Sequence, residues 1–193
     1  CNKRQTRSRD LLADVHRIQR AGLQVNGGFI VGFDSDKPTI FDRLFDFIQK
    51  SGITTAMVGL LQAPSGTKLF ERLSAEGRIS GEMSGDNVNG STNIVPRMEL
   101  STLQRGYRHL LREIYSTDRY YARIRTFLRN YRPPKASPMQ LRLWHVRTFF
   151  RALFRIGFAT RDGWRYHGLL FWTLFTRPRA FPTAIVLAIS GYH

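Results

Sequence analysis

Three residues at alternate positions, Gly28, Ile30 and Gly32, form the pattern in this sequence that is best suited to binding a ligand. Alternate residues of a β-strand lie on the same face, so one apolar side chain stands between two bare stretches of backbone. A flat ring can lie against such a strand because no side chain holds it away. Close packing of a helix on the strand would need the same glycines, and the spacing does not separate these two interpretations.

Carboxylate and amide side chains follow this strand and could act on a bound molecule. Asp34 and Asp36 come directly after it, at the end where open α/β sheets and barrels place their sites. They either face a substrate or cap the next helix, a position that aspartate favours. Asp86 and Asn87 lie in a loop rich in Gly, Asn and Ser, where they either line the mouth of the same site or form an Asx turn.

Metal binding and nucleophilic catalysis have no recognisable motif in the sequence. The histidines are scattered without the spacing of metal ligands, at His16, His109, His145, His167 and His193. Cys1 is the single cysteine, which excludes an internal disulfide and favours a reducing, cytoplasmic setting. We therefore predict no metal ligands in this chain, and no apolar run is long enough to cross a membrane.

The elements that must position these residues alternate between helix and strand. The periodicity predicts a helix, a strand, a helix and a strand in turn, over residues 6–21, 24–33, 40–51 and 53–61. This order at short spacing is typical of βαβ units, whose strands are parallel. The apolar run Phe29, Ile30 and Val31 predicts a first strand that is covered by helices on both faces.

The rest of the chain is predicted to be helical, with one long loop and one linker. The predicted helices cover residues 68–76, 101–115, 120–131, 139–158, 164–176 and 182–190. The loop over 81–96 has no periodicity and is longer than most connections. The proline-rich segment 133–138 is the clearest linker. The fold class is therefore α/β, followed by an all-helical region.

Lysines and arginines give the chain a formal charge of +16, and its last third is especially basic. Nine of them lie from Pro133 onward against one acid, Asp162, in predicted helices that also carry many aromatic residues. Basic, aromatic, amphipathic helices are typical of peripheral binding to an anionic membrane surface. A helical bundle with an arginine-rich outer face gives the same pattern. Nucleic acid is the disfavoured partner, because no nucleic-acid motif accompanies the charge.

Several segments of residues 1–132 together resemble the back half of a radical SAM barrel. These segments are the strand over 27–34, the helix over 40–51, the strand end over 58–61, the turn over 63–70 and the loop over 83–87. The chain is similar to B12-binding-domain radical SAM proteins that carry a C-terminal helical domain of unknown function, and to the hopanoid methylases. The resemblance covers most of residues 1–132 and extends to the helical tail.

The resemblance implies one wall of a binding site for S-adenosylmethionine. In the family, a Gly-x-Ile-x-Gly strand lies against the adenine, and this role falls on Gly28, Ile30 and Gly32. The end of the next strand is expected to offer backbone groups to the same ring, through Leu61, Gln62 and Ala63. The candidate substrate contacts are Asp34, Asp86 and Asn87.

The resemblance also implies that this chain is a piece of a longer protein. The family holds a [4Fe-4S] cluster with a three-cysteine motif that this sequence does not contain, and the cobalamin-binding domain and the first strands are missing too. The implied organisation is the C-terminal portion of a partial parallel (β/α) barrel over 1–98, flanking helices over 99–132, a linker over 133–138 and a basic, aromatic helical domain over 139–193. The expected partner is the missing N-terminal half.

Two functions from different classes follow. The first is that of a radical SAM enzyme, using S-adenosylmethionine, the cluster and cobalamin to methylate or rearrange an unactivated carbon of a lipid-like substrate. On this interpretation the isolated chain is inactive. The alternative is a noncatalytic basic helical module that docks a membrane surface or a protein partner, in the cytoplasm or at the periphery of a membrane.

Overall fold

The computed structural model describes residues 9–85, 89–134 and 163–191, and in these ranges it contains seven α-helices and a parallel sheet of two strands. The elements in chain order are α1 (Leu11–Arg20), β1 (Asn26–Val31), α2 (Ile40–Ser51), β2 (Thr55–Leu60), α3 (Lys68–Ala75), α4 (Leu100–Tyr115), α5 (Thr117–Asn130), α6 (Gly163–Thr176) and α7 (Phe181–Ser190), with a 3₁₀ turn at Pro178–Ala180. The predicted mixture of helices and parallel strands is confirmed, and helix predominates. The predicted helix over 139–158 lies outside the described residues.

The described residues form two compact units that interleave along the chain. We call residues 26–46, 55–85 and 89–115 the strand unit. Residues 9–25, 47–54, 116–134 and 163–191 are the helical unit. The barrel and the domain boundaries implied by the resemblance stay predictions.

In the strand unit, β1 and β2 pair in parallel, with Gly28 opposite Met57 and Ile30 opposite Gly59. Residues alternate between the two faces of a sheet, and the face that carries Val31 and Val58 is buried. The opposite face is exposed, with Ile30 at 55% of its full accessibility. The prediction that helices cover both faces of β1 is therefore wrong for the described residues, because the helices of this unit leave one face uncovered.

The outer edge of β2 is closed by tyrosines of α4. The Leu61 amide donates to Val31 O at 2.8 Å, so the even-numbered residues of β2 point their backbone groups away from β1. Two of those carbonyls accept hydrogen bonds from α4: Val58 O from the Tyr107 hydroxyl at 3.1 Å, and Ala56 O from the Tyr115 hydroxyl at 2.9 Å. These bonds occupy an edge that would otherwise be open to another strand.

The chain after α3 folds back on itself beneath the end of β2. α3 begins at Lys68 because the Thr67 hydroxyl accepts the Phe70 amide at 3.2 Å, a normal N-cap. Beyond α3, Ile79 and Ile94 form an antiparallel bridge, and Ile94 joins Leu61 in a small buried cluster. This bridge brings residues 91–93 close to the strand end over 61–63.

In the helical unit, α5, α6 and α7 share one apolar core. Its buried members are Ile124, Phe127, Leu128, Tyr166, Leu169, Leu170, Ala180, Ala184, Leu187 and Ala188. The Tyr120 hydroxyl donates to Leu187 O at 2.8 Å, which ties α5 to α7. The predicted helices over 120–131, 164–176 and 182–190 are confirmed with small shifts at their ends.

Candidate ligand-binding site

The exposed face of the two-stranded sheet carries two of the three residues of the glycine pattern, and the third, Gly32, is buried just after the end of β1. Gly28 and Ile30 of β1 lie on it beside Met57 of β2, and all three are exposed. Gly28 is paired in register with Met57, so the backbone of β1 is bare directly beside an apolar side chain. The surface is apolar and open on one side, which suits a flat apolar ring.

The structure requires glycine at only one of the two glycine positions of the pattern. Gly32 has a φ of +102°, and a Cβ there would lie 3.3 Å from Leu103 Cδ2, so backbone conformation and helix packing both require glycine. Gly28 has neither constraint: among the described residues, no atom lies within 4 Å of where its Cβ would be. Packing thus explains Gly32, whereas the bare backbone at Gly28 faces open space.

The strand end over 61–63 is held by the loop that returns from α3. The Asn93 carboxamide accepts the Ala63 amide at 2.8 Å and donates to Ala63 O at 2.9 Å. The Thr92 hydroxyl donates to Leu61 O at 2.6 Å. Gln62 Nε2 donates to Ser91 O at 3.3 Å, so all three candidate residues at this strand end contact the same short segment.

Asp36 fastens the end of β1. One of its carboxylate oxygens, Oδ2, accepts the amides of Gly32 at 2.9 Å and Phe33 at 3.0 Å. The prediction that Asp36 caps the next helix is therefore wrong. Its carboxylate stabilises the end of the preceding strand, and α2 begins only at Ile40.

Asp34 forms ion pairs with one arginine of α3, Arg72, and one that follows the helix, Arg78. Its carboxylate lies 2.6 Å from Arg78 Nη2 and 2.9 Å from Arg72 Nη1, and Glu76 pairs with the same two arginines. The hydrogen bond from Arg78, followed by that from Arg72, lowers the pKa of Asp34 to about 2. Asp34 therefore carries a negative charge that is already neutralised, and it too is not a helix cap.

Two other predictions concern the loop residues Asp86 and Asn87 and the absence of metal ligands. Asp86 and Asn87 lie outside the described residues. Within the described ranges, no group of three or more His, Cys, Asp or Glu side chains is placed to hold a metal ion. In those same ranges, no helix has the length and apolar character that crossing a bilayer requires.

Sequence reasoning missed three residues that hold the strand ends in place: Arg78, Thr92 and Asn93. Asn93 is 4% exposed and Arg78 is largely buried, although both lie in or beside a polar stretch without periodicity. Their role depends on the antiparallel return of the chain after α3, and a single polar residue in a loop carries no signal for such a contact.

The geometry defines an α/β protein whose candidate site lies on one face and at the carboxyl ends of two parallel strands. Comparison with protein families gives the more specific class. The profile of a domain of unknown function (DUF4070), which lies C-terminal in B12-binding radical SAM proteins, matches residues 67–193. The chain belongs to this family, which confirms the resemblance.

Two curated relatives support the same assignment. The chain is 31% identical over 191 residues to an uncharacterized methyltransferase of Synechocystis sp. (strain PCC 6803), covering 96% of this chain and 35% of that relative. It is 39% identical over 69 residues to the hopanoid C-2 methylase of Rhodopseudomonas palustris (strain TIE-1), covering 36% of this chain and 13% of that protein. The chain thus spans about a third or less of the relatives it matches. No solved structure matches it.

Proposed function

We propose that this chain forms one wall of the S-adenosylmethionine site of a radical SAM methylase that acts on an unactivated carbon. The observation that carries the proposal is the open face at Gly28, where backbone is left bare beside the exposed side chains of Ile30 and Met57. A planar adenine fits such a surface, and the relatives' names, methyltransferase and hopanoid C-2 methylase, support methyl transfer.

Among the described residues, no strand pairs with the edge of β1 that faces away from β2, and this supports a barrel that continues on that side. Backbone groups of Gly28 and Ile30 point away from β2, because the ladder bond from Leu61 to Val31 sets the alternation. The far edge of β2 is occupied by Tyr107 and Tyr115. A preceding parallel strand could therefore add beside β1 but not beside β2. We propose that β1 and β2 are the last two strands of a partial parallel barrel.

The cofactors belong to the whole protein. When bound in the whole protein, S-adenosylmethionine would supply the methyl group and, on reduction by a [4Fe-4S] cluster, the radical that activates the carbon, and cobalamin would carry the methyl group. The described residues offer no set of side chains that would hold the cluster. We propose that the cluster and cobalamin ligands lie in the N-terminal half, which is the partner of this chain.

The residues at the strand ends have distinct proposed roles. Gly28 and Ile30 form the surface for the adenine, whereas Gly32 is buried against Leu103 and positions the end of the strand. Asn93 and Thr92 fix the backbone of the segment Leu61, Gln62 and Ala63, so that the segment keeps one shape for a ring that contacts it. A substrate contact by Asp34 would require displacement of Arg72 or Arg78.

The test uses the whole protein to which this chain belongs, purified without oxygen and reconstituted with the cluster and cobalamin. It is incubated with a reductant, an apolar lipid extract and S-adenosylmethionine whose methyl group is deuterated. We expect deuterated methyl on a lipid product and 5′-deoxyadenosine, and neither product from this chain alone. A whole protein that reduces no S-adenosylmethionine and transfers no label would contradict the proposal and favour the noncatalytic module.

A further inference from the structure

A cleft in the helical unit lies between the end of α5 and the turn that joins α6 to α7. Its volume is about 410 Å³. The polar side chains that line it are Tyr131, Arg132, Thr176, Arg177 and Arg179. Three arginines and no acid line this cleft, so its charge is strongly positive.

The arginines of the cleft have no acidic partner among the described residues. Arg72, Arg78 and Arg165, by contrast, each form an ion pair with an aspartate. Arg177 is held in place differently, because its Nη2 donates to Arg129 O at 2.8 Å. A guanidinium group that is fixed through one nitrogen still presents further donors, and guanidinium groups match phosphate oxygens well.

An exposed apolar stripe ends at the same cleft. Trp164, Phe171, Leu174 and Phe175 recur at a spacing that places them along one side of α6, and they are 68%, 60%, 45% and 79% exposed. Thr176 and Arg177 of the cleft directly follow Phe175 in the sequence. Exposed aromatic residues next to arginines are typical of a surface that lies at the boundary between lipid headgroups and acyl chains.

The charge of the whole unit favours the same ligand. Its described residues include twelve lysines and arginines against three aspartates and glutamates, a formal charge of +9. Such a charge attracts an anionic bilayer over about a Debye length, roughly 8 Å at physiological salt. The cleft then offers a defined place for one phosphate at the end of the apolar stripe.

We propose that this cleft binds the phosphate of an anionic phospholipid headgroup, and that the stripe on α6 enters the outer part of the bilayer. The proposal goes beyond the S-adenosylmethionine site and does not depend on it. The binding measurement below needs neither cluster nor substrate, so its failure would leave the proposed methyl transfer untouched.

The test is co-sedimentation of the whole protein to which this chain belongs with vesicles of phosphatidylcholine alone or with one third phosphatidylglycerol. We expect binding to the anionic vesicles only. The double variant Arg177→Gln/Arg179→Gln should bind about thirtyfold more weakly, from the usual contribution of two basic side chains at an anionic surface. The matched control, Arg43→Gln/Arg112→Gln, removes the same charge from exposed positions of the strand unit and should weaken binding by less than about threefold.

Two further measurements separate the possible origins of the signal. Phe175→Ser should lower binding to anionic vesicles at 0.5 M salt, where screening leaves the apolar contribution dominant. Glycerol phosphate at 10 mM should compete only slightly. Binding of soluble phosphate without any binding to vesicles would contradict the proposal, and so would equal losses in the cleft variant and the control, or an unchanged cleft variant.

Discussion

The strand unit and the helical unit differ most in how their charges are used. The described part of the strand unit has nine lysines and arginines and nine acids, and its net formal charge is zero. Several of these charges are paired around Asp34 and Glu76 at the end of β1. The helical unit carries +9, and arginines such as those of its cleft have no acid beside them in the described residues.

The excess positive charge of the described residues lies in the helical unit. Along the sequence, the excess charge is most visible from Pro133 onward. In the structure, the arginine-rich α5 belongs to the same unit as α6 and α7, so the charge is gathered from separate parts of the sequence. The neutral unit carries the candidate cofactor surface, and the basic unit carries the candidate membrane contact. Matched changes in the two units should therefore have different effects.

The largest effect is expected at two glycines with the same backbone conformation. Gly52 of the helical unit has a φ of +68°, and a Cβ there would lie 2.7 Å from Phe127 N. Gly77 of the strand unit has a φ of +66°, with no atom of the described residues within 4 Å of its Cβ position. Gly52→Ala should cost about 3 kcal/mol of unfolding free energy and Gly77→Ala about 1 kcal/mol. Urea denaturation measures both, and equal costs would show that close contact with α5 does not constrain Gly52.

A smaller effect is expected when one buried carboxamide is removed from the strand unit. Asn93→Ala leaves the Ala63 amide and carbonyl without their partner, so the unfolding free energy should fall by about 2 kcal/mol. The matched change in the helical unit is Asn130→Ala, where the side chain makes one bond to Thr126 O within its own helix. That change should cost about 0.5 kcal/mol. A loss at Asn130 as large as at Asn93 would contradict the account of the strand end.

The smallest effect concerns the ion pairs of Asp34. Its pKa is lowered from 3.8 to about 2 by Arg78 and Arg72, so its contribution to stability is present above pH 4 and is lost as the pH falls toward 2. The contribution is of order 1 kcal/mol, because a quarter of the side chain is exposed and water screens the pair. Asp34→Asn should flatten the pH dependence of the unfolding midpoint between pH 4 and 2. An unchanged pH dependence in Asp34→Asn would contradict this role of the two ion pairs.

The sequence predicted the helices and strands well where hydrophobic periodicity and helix-ending glycines agree. Gly22 and Gly52, both at positive φ, end α1 and α2 near the predicted positions, and β1 and β2 lie within the predicted strands. It failed for the burial of Ile30, because an apolar run looks the same whether helices cover one face or two. It also could not foresee Asn93 or Arg78, whose partners lie 30 and 44 residues away.

The assignment of the adenine to the exposed sheet face is tested by the affinity of the reconstituted whole protein for S-adenosylmethionine in a Gly28→Leu variant. The Gly28 Cβ position is free of contacts in the described residues, so the variant should fold and hold its cluster normally. Gly81→Leu is the matched control, since its Cβ position is equally open among the described residues and it lies outside β1 and β2. We predict that Gly28→Leu weakens binding at least tenfold and that Gly81→Leu does not change it. Unchanged affinity in Gly28→Leu would contradict the assignment of this face to the adenine.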